Sequence, residues 1–262
     1  MKSYGKFIQG LMLQAFVMVV CTVHAQPHSV FEVKPQLGIK TIIDQKCLFL
    51  EEENPLMCDE NLYCIETDAD SVVVGALVCN ETSNKDGRGD YSTYWKGKKE
   101  TANRYTWVFI PENFIKVCFS KSIFKNCTSE RLCKLLGLGT DVQRDTIVYM
   151  KVPKDSLFRP AYVTDISQKL EDKDKGNNEN INRLDEPRKE WMVGQQITNS
   201  YPWTRMGYTY DWGDANGNYI GVTEFIIRPK TKYSDLDYIT IDKIQSKKGL
   251  WPGKLDSPNI GK

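Results

Sequence analysis

The sequence predicts an α+β fold, a twisted, mostly antiparallel sheet with few short helices and a disulfide-stabilised N-terminal half. Three observations predict it. Short runs of β-branched and aromatic residues outnumber helical patterns, Asn216-Gly217 stands between two such runs as a hairpin signal, and every cysteine after Cys21 lies in the first half of the chain that follows residue 25.

The elements follow in order. Between Val30 and Val78 short apolar runs alternate with acidic turns, and Ser71 to Val78 (SVVVGALV) is the clearest buried strand by its length and β-branching. Asn84 to Asp90 supplies a turn, Tyr91 to Lys99 a polar aromatic connection, and Tyr105 to Ile110 a strand stopped by Pro111. Thr128 to Gly137 reads as a helix: Thr128 or Ser129 caps it, Leu132, Leu135 and Leu136 share a face, and Gly137 fits the position just past its end. Thr146 to Val152 is a strand ended by Pro153, and the charged and amide-rich segment 168–190 reads as a solvated loop. Tyr208, Tyr210 and Trp212 alternate along a strand that turns at Asn216-Gly217 into a return strand, Tyr219 to Ile227, closed by Pro229. A last strand is expected over Tyr238 to Ile244, before a Gly- and Pro-containing tail.

The N-terminus sets the compartment. Lys2 and Lys6 precede an apolar run, Phe7 to Cys21, which ends in Val23-His24-Ala25. This is the pattern of a cleaved secretory signal, too short and too interrupted by Gln9 and Gln14 for a membrane span. The expected organisation is therefore a signal peptide at 1–25, a cysteine-rich region at 26–104, an α+β domain at 105–248 containing the charged loop 168–190, and a tail at 249–262. Loss of Lys2 and Lys6 takes 35 basic against 34 acidic residues to 33 against 34. A near-neutral chain of that kind has no surplus cation for nucleic acid and no polybasic anchor for lipid.

Cys47, Cys58, Cys64, Cys79, Cys118, Cys127 and Cys133 remain after cleavage. In an oxidising compartment they read as a disulfide framework of open connectivity with one thiol left over. Zinc is disfavoured, because no pair has Cys-x2-Cys spacing and His28 is the single remaining histidine. Acylation of a retained Cys21 is disfavoured by Val20, where a small residue is needed. Asn80 and Asn126 open the sequons Asn80-Glu81-Thr82 and Asn126-Cys127-Thr128, which a eukaryotic secretory route would glycosylate.

With His24 removed and His28 at the new N-terminus, the body of the chain holds no imidazole base, which excludes Ser-His, Cys-His and histidine-ligated metal hydrolysis. Asp214, Asn216 and Asn218 match the start of a calcium loop, but Tyr219 and Phe225 stand where its Gly and bidentate Glu belong, so no metal is expected. Arg88-Gly89-Asp90 is an integrin-type tripeptide on a turn that Asp86-Gly87 explains equally well. Glu224 is the carboxylate of most interest: it shares a strand face with Val222 and Ile226, so it lines a cleft or finds a partner such as Arg205 or Arg228. Asp211 and Asp214 are further carboxylates for a glycosidase-type pair with it, and Trp203, Tyr208, Tyr210 and Trp212 serve as core or sheet cover.

Leu135-Leu136-Gly137-Leu138, Leu157 to Ala161 (LFRPA), Trp203 to Gly213 (WTRMGYTYDWG) and Thr223-Glu224-Phe225 together resemble a group of largely uncharacterised bacterial-type proteins, over roughly Tyr105 to Ile244. That likeness implies a domain and no particular reaction. Thr223 to Tyr233 also resembles the strand of ADP-ribosyltransferases that carries their catalytic glutamate. The resemblance implies that Glu224 binds the nicotinamide-ribose hydroxyl and stabilises an oxocarbenium-like transition state, that Arg104 or Arg205 clamps the pyrophosphate, and that Tyr208 or Trp212 stacks on nicotinamide. Val222 departs from that family, many of whose members have Glu or Gln two residues before the catalytic acid.

Two functions are thus expected. The first is a secreted, disulfide-stabilised protein that binds an extracellular protein or matrix partner or is a structural component, with no cofactor. The alternative is a secreted NAD-using transferase or glycohydrolase with Glu224, Arg205 and Tyr208 in its site and NAD as substrate.

Overall fold

The computed structural model describes residues 59–79, 95, 97–140, 143–177, 179–198 and 203–245, with 193–198, 235, 236 and 245 described in their backbone only. The signal segment, Cys47, Cys58, Asn80, Arg88-Gly89-Asp90 and the tail lie outside these residues.

Seven strands form one sheet: β1 (Ser71–Val78), β2 (Thr106–Phe109), β3 (Thr146–Pro153), β4 (Leu157–Phe158), β5 (Tyr208–Tyr210), β6 (Ile220–Ile227) and β7 (Ser234–Thr240). Their order is β4-β6-β2-β1-β3-β7, with β5 also on β6, and every registered pairing is antiparallel. The α+β class and the mostly antiparallel sheet with few short helices are therefore present. β1, from the segment before Tyr105, is an inner strand between β2 and β3, so residues on both sides of that position share one sheet.

The helices are α1 (Pro111–Ser120), α2 (Ser129–Leu135), α3 (Glu179–Asn182), α4 (Glu186–Thr198) and α5 (Ile241–Gln245). Pro111 ends the strand as expected but also occupies the first turn of α1, where its missing N–H costs nothing, so that one residue both stops β2 and starts a helix. The predicted α2 is observed, with Thr128 Oγ1 accepting from Arg131 N at 3.1 Å and Gly137 at φ +66°. Two expectations are corrected. The charged stretch 168–190 is not a continuous loop: it holds α3 and the start of α4, because Ile181 and Met192 bury against the sheet and anchor a stripe too sparse to stand out in sequence. The last strand lies earlier than predicted, and Ile241 and Ile244 instead belong to α5, whose apolar residues are buried at helical spacing.

Strand alternation divides the core between two sheet faces. On one face Phe109, Ile147, Tyr149 and Val222 pack beneath α1, α2 and α5, with Phe109 stacked on Phe114 at 4.5 Å. Farther along the same face Trp107, Phe158, Trp203 and Ile226 pack with Ile181 and Met192 of α3 and α4. The other face carries Val74, Ala76, Val108, Val148, Met150, Phe225 and Ile227 under Ile65 and Trp95.

Five of the seven cysteines expected to form a disulfide framework lie within the described residues. Among the described residues Cys64, Cys79, Cys118, Cys127 and Cys133 carry no disulfide. Cys79, Cys118, Cys127 and Cys133 are buried and act as small core side chains, and burial pushes the thiols of Cys118, Cys127 and Cys133 up.

Candidate functional site

β6 is a long strand served on one edge by two short ones. Leu157 and Phe158 of β4 pair with Ile227 and Ile226, while Tyr208 and Tyr210 of β5 pair with Thr223 and Ile220. Glu224 stands where the partner changes, and its N–H donates to Gly207 O at 3.0 Å. Its side chain emerges on the face of Val222 and Ile226, at the seam between the cluster under α1, α2 and α5 and the cluster under α3 and α4. Across the sheet it stands opposite Phe109, which in turn stands opposite Gly75, and a Cβ on Gly75 would lie 2.5 Å from the Phe109 ring.

Glu224 is 5% exposed, and no salt bridge reaches it among the described residues. Its Oε1 is buried with no hydrogen-bond partner. Burial alone pushes its carboxyl well above the usual carboxylate range, which favours its protonated form. The expected ion pairs are not formed. Arg228 reaches Asp185 at 3.3 Å, and the Arg205 guanidinium lies 5.7 Å over the Trp203 ring with Nη1 3.5 Å from Tyr162 Oη.

The three candidates for the NAD site part company here. Arg205, at φ +59°, belongs to the turn that presents Gly207 to the Glu224 backbone, and its Trp203 support packs with Ile226 on Glu224's face. Tyr208 does not join them: its register partner is Thr223, so its ring points to the opposite face and is buried with Tyr162 and Met206. Trp212 lies beyond β5 with the Lys134 ammonium 4.9 Å over its ring. The aromatic neighbours of the seam are instead Tyr105, Trp107 and Trp191, where Trp191 lies 4.9 Å from Tyr105 and 5.7 Å from Trp107. Sequence reasoning missed them because Trp191 directly follows the charged stretch 168–190 read as a loop. The signal available was Trp191-Met192, a bulky apolar pair just past that run.

Asp211 and Asp214 are not free for glycosidase chemistry. Arg131 grips Asp211 with both terminal nitrogens, at 2.7 and 2.8 Å, and Lys121 lies 3.1 Å from Asp211 and 2.8 Å from Asp214. Lys121 also donates to Asn218 O at 2.6 Å, which ties the ends of α1 and α2 to the β5–β6 connection.

The segments quoted for the bacterial-type resemblance converge on this region. The Arg159 guanidinium is fully buried and donates to Tyr63 O, Asp165 O, Ile166 O and Gln168 O, and its stem packs so closely on Gly207 (φ +83°) that a Cβ there would lie 2.7 Å from Arg159 Cδ. Burial lowers the Arg159 pKa from its ordinary value. Trp203 Nε1 donates to Pro160 O at 2.6 Å. Thr209 Oγ1 donates to Leu135 O at 2.7 Å and accepts from Val222 N at 2.9 Å. Four separate stretches of sequence thereby form one frame around the Glu224 strand.

Asn126 is exposed at the end of a short 3-10 turn, while Thr128 of its sequon is engaged as the α2 cap. Among the described residues no group of three or more His, Cys, Asp or Glu side chains is placed to hold a metal, and no helix is long and apolar enough to cross a membrane. Scans against protein-family models, curated proteins and solved structures return no match to this chain.

Proposed function

We propose that the chain is a secreted enzyme that cleaves the N-glycosidic bond of NAD, with Glu224 as its catalytic carboxyl. One observation carries the reading: a carboxyl enclosed at the seam of two apolar clusters, with no ion pair and an orphaned Oε1. Such a group costs stability, and it is retained where function needs it.

The chemistry suits that environment. Nicotinamide in NAD carries a positive charge, and a cation beside a buried carboxyl favours its ionised form. As the glycosidic bond breaks, its electron pair leaves with nicotinamide and positive charge develops on the ribose. A carboxylate in a low-dielectric enclosure stabilises that charge strongly. Water then adds to the ribose carbon and releases a proton, so NAD and water give ADP-ribose, nicotinamide and a proton. Water is the simplest acceptor, because Val222 offers no second carboxyl beside Glu224. The expected stacking role of Tyr208 is withdrawn, since its ring lies on the far face.

The competing reading, an extracellular binding or structural protein, leans on the secretory signal, the missing imidazole and a disulfide framework. The described cysteines give that framework no support. Incubation of the secreted chain with NAD, with release of nicotinamide followed by chromatography, decides between them. Turnover that disappears in Glu224→Gln while the fold is kept supports the enzyme. No nicotinamide release by the folded wild-type chain returns the protein to the binding class.

A further inference from the structure

The half-buried rings of Tyr105, Trp107 and Trp191 form a patch beside the Glu224 seam: Trp107 stands opposite Ile226, two residues along β6 from Glu224 and on the same face. Phe158 closes the back of the patch, 5.9 Å from Tyr105 and 6.1 Å from Trp191 in edge-on contacts. Two cations border it. The Arg188 guanidinium lies 5.7 Å over the Phe158 ring with its Nε donating to Asp185 at 2.9 Å, and Arg228 follows β6 with its side chain 42% exposed. Arg228 Nε is buried with no hydrogen-bond partner, and its terminal nitrogen meets Asp185, itself 45% exposed, at 3.3 Å. An ion pair so open to water holds its partners weakly and exchanges readily. Burial and the Asp185 carboxylate push the Tyr105 phenol up, against the influence of Arg188 and Arg228, so all three charged groups face this ring.

We propose that this patch is a nucleotide subsite, with a purine base packed on the Tyr105, Trp107 and Trp191 rings and its phosphates taken by Arg228 and Arg188 in place of Asp185. Planar bases stack on aromatic side chains whatever their sequence identity, and a guanidinium fork matches phosphate oxygens. A mere apolar face would suit many occupants. Here, paired cations at the rim and an Arg nitrogen lacking an acceptor select a planar, anionic one. The identity of the whole ligand as NAD rests on the function proposed above, in which this subsite holds the adenosine diphosphate half while Glu224 faces the other.

ADP is the probe, because it has no glycosidic bond to nicotinamide and reports binding apart from turnover. Titration of the full chain should give saturable quenching of tryptophan fluorescence, weakened about tenfold or more by Arg228→Gln and by Trp191→Leu. Arg228→Gln alters an exposed side chain, so its effect is readable even where Trp191→Leu loosens α4. Binding that is absent in the folded wild type, or that survives Arg228→Gln unchanged, overturns the subsite. ADP binding with this pattern but no NAD cleavage keeps the subsite and removes the hydrolase reading. NAD cleavage whose KM ignores Arg228→Gln does the reverse.

Discussion

Two carboxylates on neighbouring strands, Asp211 just past the end of β5 and Glu224 in the middle of β6, are both sealed from water and are treated in opposite ways. Asp211, fully buried, receives two cations and a bidentate arginine grip, so its charge is matched where it lies. Glu224, at 5% exposure, receives none, and burial raises its pKa instead. The difference teaches that burial of an acid says little by itself. Matched burial joins elements together, whereas unmatched burial stores an unfavourable state that a cationic ligand relieves.

The contrast is most severely tested at Asp211. Asp211→Asn leaves Lys121 and Arg131 without their shared counter-charge, and urea denaturation should show a loss of about 3 kcal/mol or more. A loss below about 1 kcal/mol would make the two acids equivalent. Gly207→Ala comes next: with φ at +83° and a Cβ 2.7 Å from Arg159 Cδ, it should cost about 2 kcal/mol and displace the Arg159 frame. Lys121→Met should cost only about 1 kcal/mol, because the Arg131 grip on Asp211 persists.

Glu224→Gln should have the smallest effect on stability near pH 5 and the most distinctive pH signature. Its folded value is raised above the ordinary 4.5, so the native chain holds a proton that the unfolded chain releases. The stability this proton confers is complete below 4.5 and declines as pH rises from there through the folded value. Thermal melts should therefore show wild type losing stability relative to Glu224→Gln between pH 5 and pH 8, by about 1 kcal/mol or more. Parallel pH profiles for the two proteins would mean that Glu224 is ionised and paired in solution, and the contrast with Asp211 would collapse.

Much of the sheet was legible in sequence, for identifiable reasons. Ser71–Val78, Thr146–Pro153 and Ile220–Ile227 are long and β-branched, and Pro153 and Pro229 punctuate the last two. α2 announces itself through its Thr128 cap and Gly137. α4 does not, since its first turn is mostly charged and Trp191 and Met192 are the first bulky apolar residues in it. At the site, Glu224 was legible because an acid interrupts an apolar alternation. Asp211 was misread as available, because its partners Lys121 and Arg131 lie some eighty or more residues earlier and nothing local signals them. Tyr208 was misread because the pairing that decides its face, with Thr223, is a register that composition does not reveal.

The topology also carries a kinetic consequence. β2 finds β6 through Thr106 and Ile227, and β1 finds β3 through Ser71 and Pro153, so the sheet closes through contacts between distant parts of the chain, while β5 and β6 alone meet through a short connection. Such a contact pattern slows folding, and the chain must be synthesised past Ile227 before its inner strands are complete. A nascent chain without β6 is consequently expected to stay unfolded, a state suited to threading through an export channel. Truncation before Gly221 should then abolish cooperative unfolding, whereas refolding of the full chain should be limited by a slow phase measured in milliseconds to seconds.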